Sequence, residues 1–92
     1  MDTVQLACQS DKQNEAEWAV TNRKQGVYRR IYSTAGLFTS FERDGRYKVG
    51  IGGGFYNLTI VSLMLSDSGV YFCNENLGYG PVSKIALTVL GK

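Results

Sequence analysis

The chain has 92 residues, of which 43% are hydrophobic and 20% are charged, and its formal net charge is +2. This length leaves no room for a second hydrophobic core, and so small a charge does not by itself predict nucleic-acid binding. The longest apolar run, "IVSLML" (Ile60–Leu65), is far shorter than the ~20 residues of a membrane span. We therefore expect a single domain over residues 1–92, with no nucleic acid as a partner.

Alternation of apolar and polar residues with a period of two dominates the chain, and no segment keeps a helical period over three turns. This pattern indicates short β-strands separated by turn sequences such as "RDG", "GGG" and "SDSG". In chain order the alternating segments are Val4–Cys8, Trp18–Val20, the polar edge strand Val27–Tyr32, Tyr47–Ile51, Tyr56–Leu63, Tyr71–Cys73 and Ile85–Val89.

The two cysteines, Cys8 and Cys73, lie near opposite ends of a chain that has no histidine. Without a CxxC spacing or a histidine they do not form a zinc-site pattern, and we expect no metal and no cofactor. A disulfide between them would stabilise the fold by roughly 4 kcal/mol and would be typical of a secreted or surface protein. The alternative is a pair of buried free thiols in a cytosolic domain.

Short strands with 11 glycines and one proline predict an all-β antiparallel sandwich or barrel. Both cysteines and Trp18 fall on the inward-facing positions of their strands. A disulfide between two sheets with an indole packed on it is the core of an immunoglobulin sandwich, so this combination favours a sandwich over a barrel.

Several motifs, in an order and spacing that span almost the whole chain, resemble a V-type immunoglobulin domain. They are "LAC" (Leu6–Cys8), Trp18, "RYKV" (Arg46–Val49), "NLTI" (Asn57–Ile60), "LSDSGVYFC" (Leu65–Cys73) and "LTVL" (Leu87–Leu90). Within V-type domains, "GGGFYNLTIVSLMLSDSGVYFC" (Gly52–Cys73) most resembles the novel immune-type receptors of bony fish. T-cell-receptor-like and other cell-surface V domains are close rivals.

This resemblance implies roles for the residues that carry it. Cys8 and Cys73 would form the one disulfide between the sheets, with Trp18 packed on the bond. Tyr71 occupies the tyrosine-corner position two residues before the second cysteine, where its hydroxyl can bond the upstream backbone.

The resemblance further implies an ion pair between Arg46 and Asp67 that ties one end of the sandwich shut. The alternative is that both are solvated loop charges.

The sequence also departs from the family pattern. Only seven residues precede Cys8, so we expect the first strand (A) to be short or absent. Thr21 stands where many V domains have a glutamine that pairs across a V–V dimer. The Phe-Gly-x-Gly bulge of joining segments is missing from "YGPVSKIALTVL" (Tyr79–Leu90). Both changes weigh against antibody-like pairing.

In this fold three loops cluster at one end and form a binding edge. By alignment they are Gln9–Glu17, Ser33–Phe41 and Asn74–Val82. Leu37, Phe38, Phe41, Leu77 and Tyr79 are apolar or aromatic residues in segments that have no core strand to face. Aromatic anchors among Asn, Ser and Gly are typical of recognition surfaces. The alternative for Leu37 and Phe38 is that they begin a further strand (C″) and pack beneath it. The expected ligand contacts are Leu37, Phe38, Asn74, Glu75, Asn76, Leu77 and Tyr79.

A second candidate surface is the sheet of strands G, F, C and C′. Phe72 faces out of the core there, with Ala19, Thr21, Ala86 and Thr88 on matching parity. A flat, uncharged strip with one large aromatic favours an interface, including a homodimer, over a solvated face. The interface residues that we expect are Thr21 and Phe72.

Four basic residues, Arg23, Lys24, Arg29 and Arg30, lie in a stretch without acidic residues. They could meet an acidic partner, a sialylated glycan or heparan sulfate, although protection of an edge strand from aggregation is the more common role.

Asn57 begins an N-glycosylation sequon, Asn57-Leu58-Thr59, whose Asn and Thr point outward. The glycines of "GIGGG" (Gly50–Gly54) precede a strand rather than a helix, which excludes a phosphate-binding loop and fits a turn.

The expected function is that of the ectodomain of an innate-type immune receptor that binds a protein on another cell. The fish-receptor resemblance implies a type I membrane receptor, whose signal, anchor and tail would lie outside residues 1–92. Alternatives are an antigen-receptor or adhesion chain acting as half of a V–V dimer, and a structural domain of a longer chain. We do not expect an enzyme, because there is no histidine and the acids Asp11, Glu15 and Glu17 cluster only in an exposed loop.

Overall fold

A computed structural model describes residues 2–9, 16–22, 26, 28–33, 36–52, 54–74 and 82–90. Over these residues the chain forms two antiparallel sheets and two short helical segments. The strands are β1 (Val4–Leu6), β2 (Glu17–Asn22), β3 (Tyr28–Ser33), β4 (Gly36–Leu37), β5 (Tyr47–Gly52), β6 (Phe55–Ile60), β7 (Gly69–Asn74) and β8 (Val82–Leu87); the helical segments are α1 (Thr39–Asp44) and the 3-10 turn Leu65–Asp67.

The sheets have the order β1-β6-β5 and β4-β3-β2-β7-β8. The predicted all-β immunoglobulin V-type sandwich is therefore confirmed. Among the described residues no strand precedes β1, which pairs with β6 from Val4 opposite Ile60 to Leu6 opposite Leu58. This agrees with the expectation that strand A is short or absent.

The core lies between the sheets because alternate residues of facing strands point inward. Burying a large apolar side chain contributes about 1.5–3 kcal/mol, so the largest buried side chains dominate the stability. They are Trp18, Ile31, Leu58, Ile60, Tyr71 and Cys73.

Strand β3 differs from the predicted polar edge strand in two ways. Its pairing with β2 shifts by one residue, from Trp18 opposite Tyr32 to Ala19 opposite Arg30. The extra residue, Ile31, is fully buried in the core, as a bulge allows. In addition, β4 pairs with Tyr32 and Ser33, so β3 is covered at that end.

The stretch from Ser33 to Phe41, which we predicted to be a loop, contains β4 and the start of α1. The prediction that Phe41 is a recognition residue is wrong, because Phe41 is buried. Its ring packs edge-on against that of Tyr47, with 4.8 Å between the ring centroids. The helix ends at Gly45, whose positive φ of 76° suits a residue without a side chain.

Candidate functional site

The disulfide and Trp18 together hold the two sheets in place. Cys8, just after β1, is bonded to Cys73 of β7 with a Cα–Cα distance of 6.2 Å, which lies in the usual range. The indole N–H of Trp18 donates to the carbonyl oxygen of Tyr56 at 2.7 Å, and the amide of Tyr56 donates to the carbonyl of Cys8 at 2.7 Å. The two sheets are thus linked covalently by the disulfide and by the hydrogen bond from the Trp18 indole to Tyr56.

Tyr71 forms the corner that its position predicted. Its hydroxyl donates to the carbonyl oxygen of Asp67 at 2.7 Å, which fixes the 3-10 turn against the start of β7. Burial raises the pKa of Tyr71, so its phenol stays protonated as a donor over the ordinary pH range.

Arg46 and Asp67 form a two-pronged ion pair at the end of the sandwich where α1 and the 3-10 turn lie. Nη1 and Nη2 of Arg46 donate to Oδ2 and Oδ1 of Asp67 at 2.6 and 3.0 Å. The same carboxylate accepts from the hydroxyl of Tyr47 at 2.9 Å and from the amide of Met64 at 2.7 Å. Arg46 also donates to the exposed carboxylate of Asp44 at 2.7 Å.

This network favours the charged forms of the pair. Burial acts to raise the pKa of Asp67, but hydrogen bonds from Arg46, Met64 and Tyr47 outweigh it and lower that pKa below its usual range. Hydrogen bonds to Asp67 and then Asp44 raise the pKa of Arg46. Burial, followed by the bond to Asp67, raises the pKa of Tyr47. The ion pair therefore persists at neutral pH.

The outer face of the five-stranded sheet carries the candidate recognition site. Phe72 of β7 lies opposite Lys84 of β8 and Ala19 of β2. The ring of Tyr28, on β3, stands 6.0 Å from that of Phe72 between centroids, and the Lys84 ammonium lies 5.9 Å from the Phe72 ring centre. We call Tyr28, Phe72 and Lys84 the aromatic–lysine cluster.

The cluster corrects one expectation about the strip around Phe72. The strip is not uncharged, because Lys84 occupies the outward position directly beside the phenylalanine. Phe72 is also only half-exposed, whereas Tyr28 is 53% exposed and presents the larger accessible ring. Sequence reasoning missed Tyr28 and Lys84, since only the pairing of β3, β7 and β8 brings them to Phe72.

Two residues of β2 on this face, Ala19 and Thr21, have small side chains. Ala19 is fully buried beneath its neighbours, and Thr21, opposite Tyr28, is half-buried. Next to them Arg30 pairs with Glu17 at 2.7 Å and lies 5.2 Å from the ring centre of Phe38. Arg30 is thus neutralised by an acid on the adjacent strand.

The predicted basic patch is divided between two sides of β3. Arg29 faces the side opposite to Arg30, where its guanidinium lies 4.6 Å from the ring centre of Phe41 and donates to Ser40 Oγ at 3.2 Å. Arg23 and Lys24 lie outside the described residues. The described pair therefore does not form one cationic surface.

The expected loop contacts are placed only in part. Leu37 lies in β4 and packs against the core, as the strand alternative required, whereas Phe38 after it remains exposed. Asn74 ends β7 opposite the exposed Val82. Glu75, Asn76, Leu77 and Tyr79 lie outside the described residues.

The acids considered for catalysis do not form a described cluster. Glu17 lies in β2 and pairs with Arg30, which corrects its assignment to a loop, while Asp11 and Glu15 lie outside the described residues. Within the described ranges, no group of three or more His, Cys, Asp or Glu side chains is arranged to hold a metal ion.

No helix in the part of the chain that the structure describes has the length and apolar character to cross a membrane.

Comparison with known proteins matches this architecture to one family. A family model described as the immunoglobulin V-set domain matches residues 2–90 of the chain. Among curated proteins, none matches the chain.

Proposed function

Because the chain belongs to the immunoglobulin V-set domain family, we propose that it is the ligand-recognition domain of an innate-type immune receptor. Domains of this family are typically extracellular and generally non-catalytic. The Cys8–Cys73 disulfide is compatible with that location, since such bonds persist outside the cytosol. The likeness of Gly52–Cys73 to the novel immune-type receptors of bony fish supports a type I membrane receptor.

The observation that carries the proposal is the aromatic–lysine cluster. Tyrosine and phenylalanine are enriched at the buried centres of protein interfaces, where they combine large contact area with few rotatable bonds. Tyr28 exposes 53% of its surface on this face, beside the small residues Ala19 and Thr21 of β2. A partner surface could therefore contact both rings between Lys84 and the Arg30–Glu17 ion pair.

The charge of the cluster supports a proposal about the chemistry of the partner. Lys84 is the outward neighbour of Phe72, whereas Arg30 on the same face is paired with Glu17. A partner that places a carboxylate over Lys84 would gain an ion pair beside an apolar contact, which favours specificity and association rate. We propose a protein on another cell with an apolar patch bordered by an acidic residue.

Recognition by this face is tested with tetramers of the secreted domain in a cell-binding screen. We expect Tyr28→Ala and Lys84→Glu to weaken binding by at least about 30-fold, the loss associated with an interface hot spot. Ile51→Ala is the matched control, because Ile51 has the same exposure of 53% but lies on the other sheet. Thermal melts establish that every variant is folded.

Recognition through the loop edge would give the opposite outcome in this screen. If Tyr28→Ala and Lys84→Glu bind as the unaltered domain does while Leu77→Ala and Tyr79→Ala abolish binding, recognition belongs to the third loop and the assignment to the sheet face is wrong.

The same face could instead pair with a second V domain, as in an antigen-receptor or adhesion dimer. Tyr28 lies opposite Thr21, so an exposed ring borders the position at which many V domains pair. Sedimentation of the purified domain separates the two functions. A monomer at micromolar concentration supports a free recognition face, and a dimer that Tyr28→Ala dissociates supports pairing between copies.

A further inference from the structure

The outer face of the three-stranded sheet carries an exposed aromatic residue of its own. Strand β6 buries Tyr56, Leu58 and Ile60, so the alternate residues Phe55, Asn57 and Thr59 face outward. Phe55 is 42% exposed, and it lies two residues before the asparagine of a glycosylation sequon. On a strand, this spacing places the ring and the amide side by side on one surface.

Strand β5 has glycines directly opposite Phe55 and Asn57, whereas Lys48 lies opposite Thr59. Gly50 is the pairing partner of Asn57, and Gly52 is the partner of Phe55. A Cβ atom added at either glycine would have no heavy atom within 4 Å. A bulky group attached to Asn57 therefore has open space on the β5 side.

The side chain of Asn57 is already oriented. Its Oδ1 accepts a hydrogen bond from the backbone amide of Cys8 at 3.2 Å, which identifies the oxygen and leaves Nδ2 directed away from Cys8. An N-linked sugar is joined to Nδ2, and the carbonyl oxygen is retained. The bond to Cys8 therefore survives glycosylation and holds the sugar linkage in one orientation.

We infer that Asn57 carries an N-linked glycan and that the ring of Phe55 is the surface on which its first N-acetylglucosamine rests. A pyranose ring presents a face of C–H groups, which complements the negative face of an aromatic ring. The Cys8–Cys73 disulfide is consistent with folding in the oxidising secretory compartment, where such glycans are attached.

The glycan has a consequence for recognition. It would cover the three-stranded sheet around Asn57 and leave the five-stranded sheet with Tyr28 and Phe72 accessible. The two faces would then have separate roles, one shielded and one open to a partner.

Glycan attachment is tested by secreting the chain from eukaryotic cells and measuring its intact mass before and after peptide-N-glycosidase treatment. We expect a loss of glycan mass for the unaltered chain and for Thr59→Ser, which preserves the sequon, and none for Thr59→Ala. A secreted, disulfide-bonded chain with an unmodified Asn57 would overturn the inference.

The role of Phe55 is tested with the glycan trimmed enzymatically to one N-acetylglucosamine. Compared with the sugar-free chain, we expect this sugar to raise the Tm by about 4–8 °C when Phe55 is present. In Phe55→Ala the increase should fall to roughly 1 °C or less, whereas the control Ile51→Ala should keep it. An equal increase with and without the ring would refute the contact with the sugar. If Phe55→Ala also reduced tetramer binding to cells, Phe55 would belong to a protein interface instead.

Discussion

Replacing Asp67 with alanine tests the ion pair that closes one end of the sandwich. The carboxylate of Asp67 accepts four hydrogen bonds, two from Arg46, one from Tyr47 and one from the amide of Met64. Its side chain is 2% exposed, and that of Arg46 is 15% exposed. Removing the carboxylate therefore leaves a largely buried guanidinium without its main partner.

The size of the expected loss of stability depends on the hydrogen bonds that Arg46 retains. Breaking a buried ion pair costs about 3–5 kcal/mol when the remaining charge has no other partner. Arg46 still donates to Asp44 at 2.7 Å and to the carbonyl oxygen of Ser62 at 3.3 Å. We therefore expect the lower end, about 3 kcal/mol, which corresponds to a Tm lower by about 12–24 °C in a domain of this size.

Urea denaturation of the oxidised protein, followed by the fluorescence of Trp18, measures this loss. Asp44→Ala is the matched control, since it removes the other carboxylate on the same guanidinium but from a side chain that is 37% exposed. It should cost at most about 1 kcal/mol. In a double-mutant cycle, Asp67→Ala and Arg46→Ala should show a coupling of about 2 kcal/mol. A loss below about 1 kcal/mol for Asp67→Ala, or strictly additive effects, would refute a stabilising buried pair.

Three further predictions concern the scaffold. A Cβ atom added at Gly69 would lie 2.5 Å from a backbone oxygen of β2, whereas one added at Gly50 would have no heavy atom within 4 Å. Gly69→Ala should therefore lower the unfolding free energy by about 1–3 kcal/mol. Urea denaturation measures this loss, and the control Gly50→Ala should lose much less. Replacing Cys8 and Cys73 together by alanine should lower the unfolding free energy by about 4 kcal/mol; an unchanged urea midpoint would contradict this. Because the pKa of Asp67 is lowered by folding, its contribution is complete above pH of about 4 and is lost as the pH falls through the folded pKa. Acid titration followed by circular dichroism should therefore show a smaller loss of stability below pH of about 4 in Asp67→Asn than in the unaltered chain.

Residues whose role depends on local spacing could be predicted from the sequence. Tyr71 and Cys73 are two residues apart on one strand, so a single parity places both in the core, and Trp18 meets Cys73 across a regular antiparallel pair. The disulfide partner and the tyrosine corner follow from that geometry together with the family pattern. No long-range register had to be guessed for these residues.

The burial of Phe41 could not be predicted from local spacing. It lies in a helix of six residues, Thr39–Asp44, which is too short to show a helical period. Its burial depends on an edge-on contact with Tyr47, a residue of another element. The sequence predicts a loop at Phe41 and therefore an exposed ring, whereas in the structure the residue is buried.

The face that we propose for recognition could be predicted only in part, for a related reason. Parity alone turns Phe72 outward, but Tyr28 and Lys84 reach it through the pairing of three strands. The bulge at Ile31 adds to the difficulty. In a regular strand Arg30 and Tyr32 would share a face, whereas here Arg30 is outside and Tyr32 packs against the core.

The two sheets differ in what surrounds their exposed aromatic residues, and this difference indicates different uses. Tyr28 and Phe72 lie together with a cation, Lys84, and with small side chains, a combination suited to a flat protein surface. Phe55 lies between Gly52 of β5 and Gln9, on the same face as the sequon asparagine, which suits a sugar attached to the same strand. An aromatic side chain that a glycan covers permanently contributes to solubility and stability, whereas one left uncovered remains available for binding. If both proposals hold, enzymatic removal of the glycan should lower the Tm without changing the cell binding that we expect Tyr28→Ala to weaken.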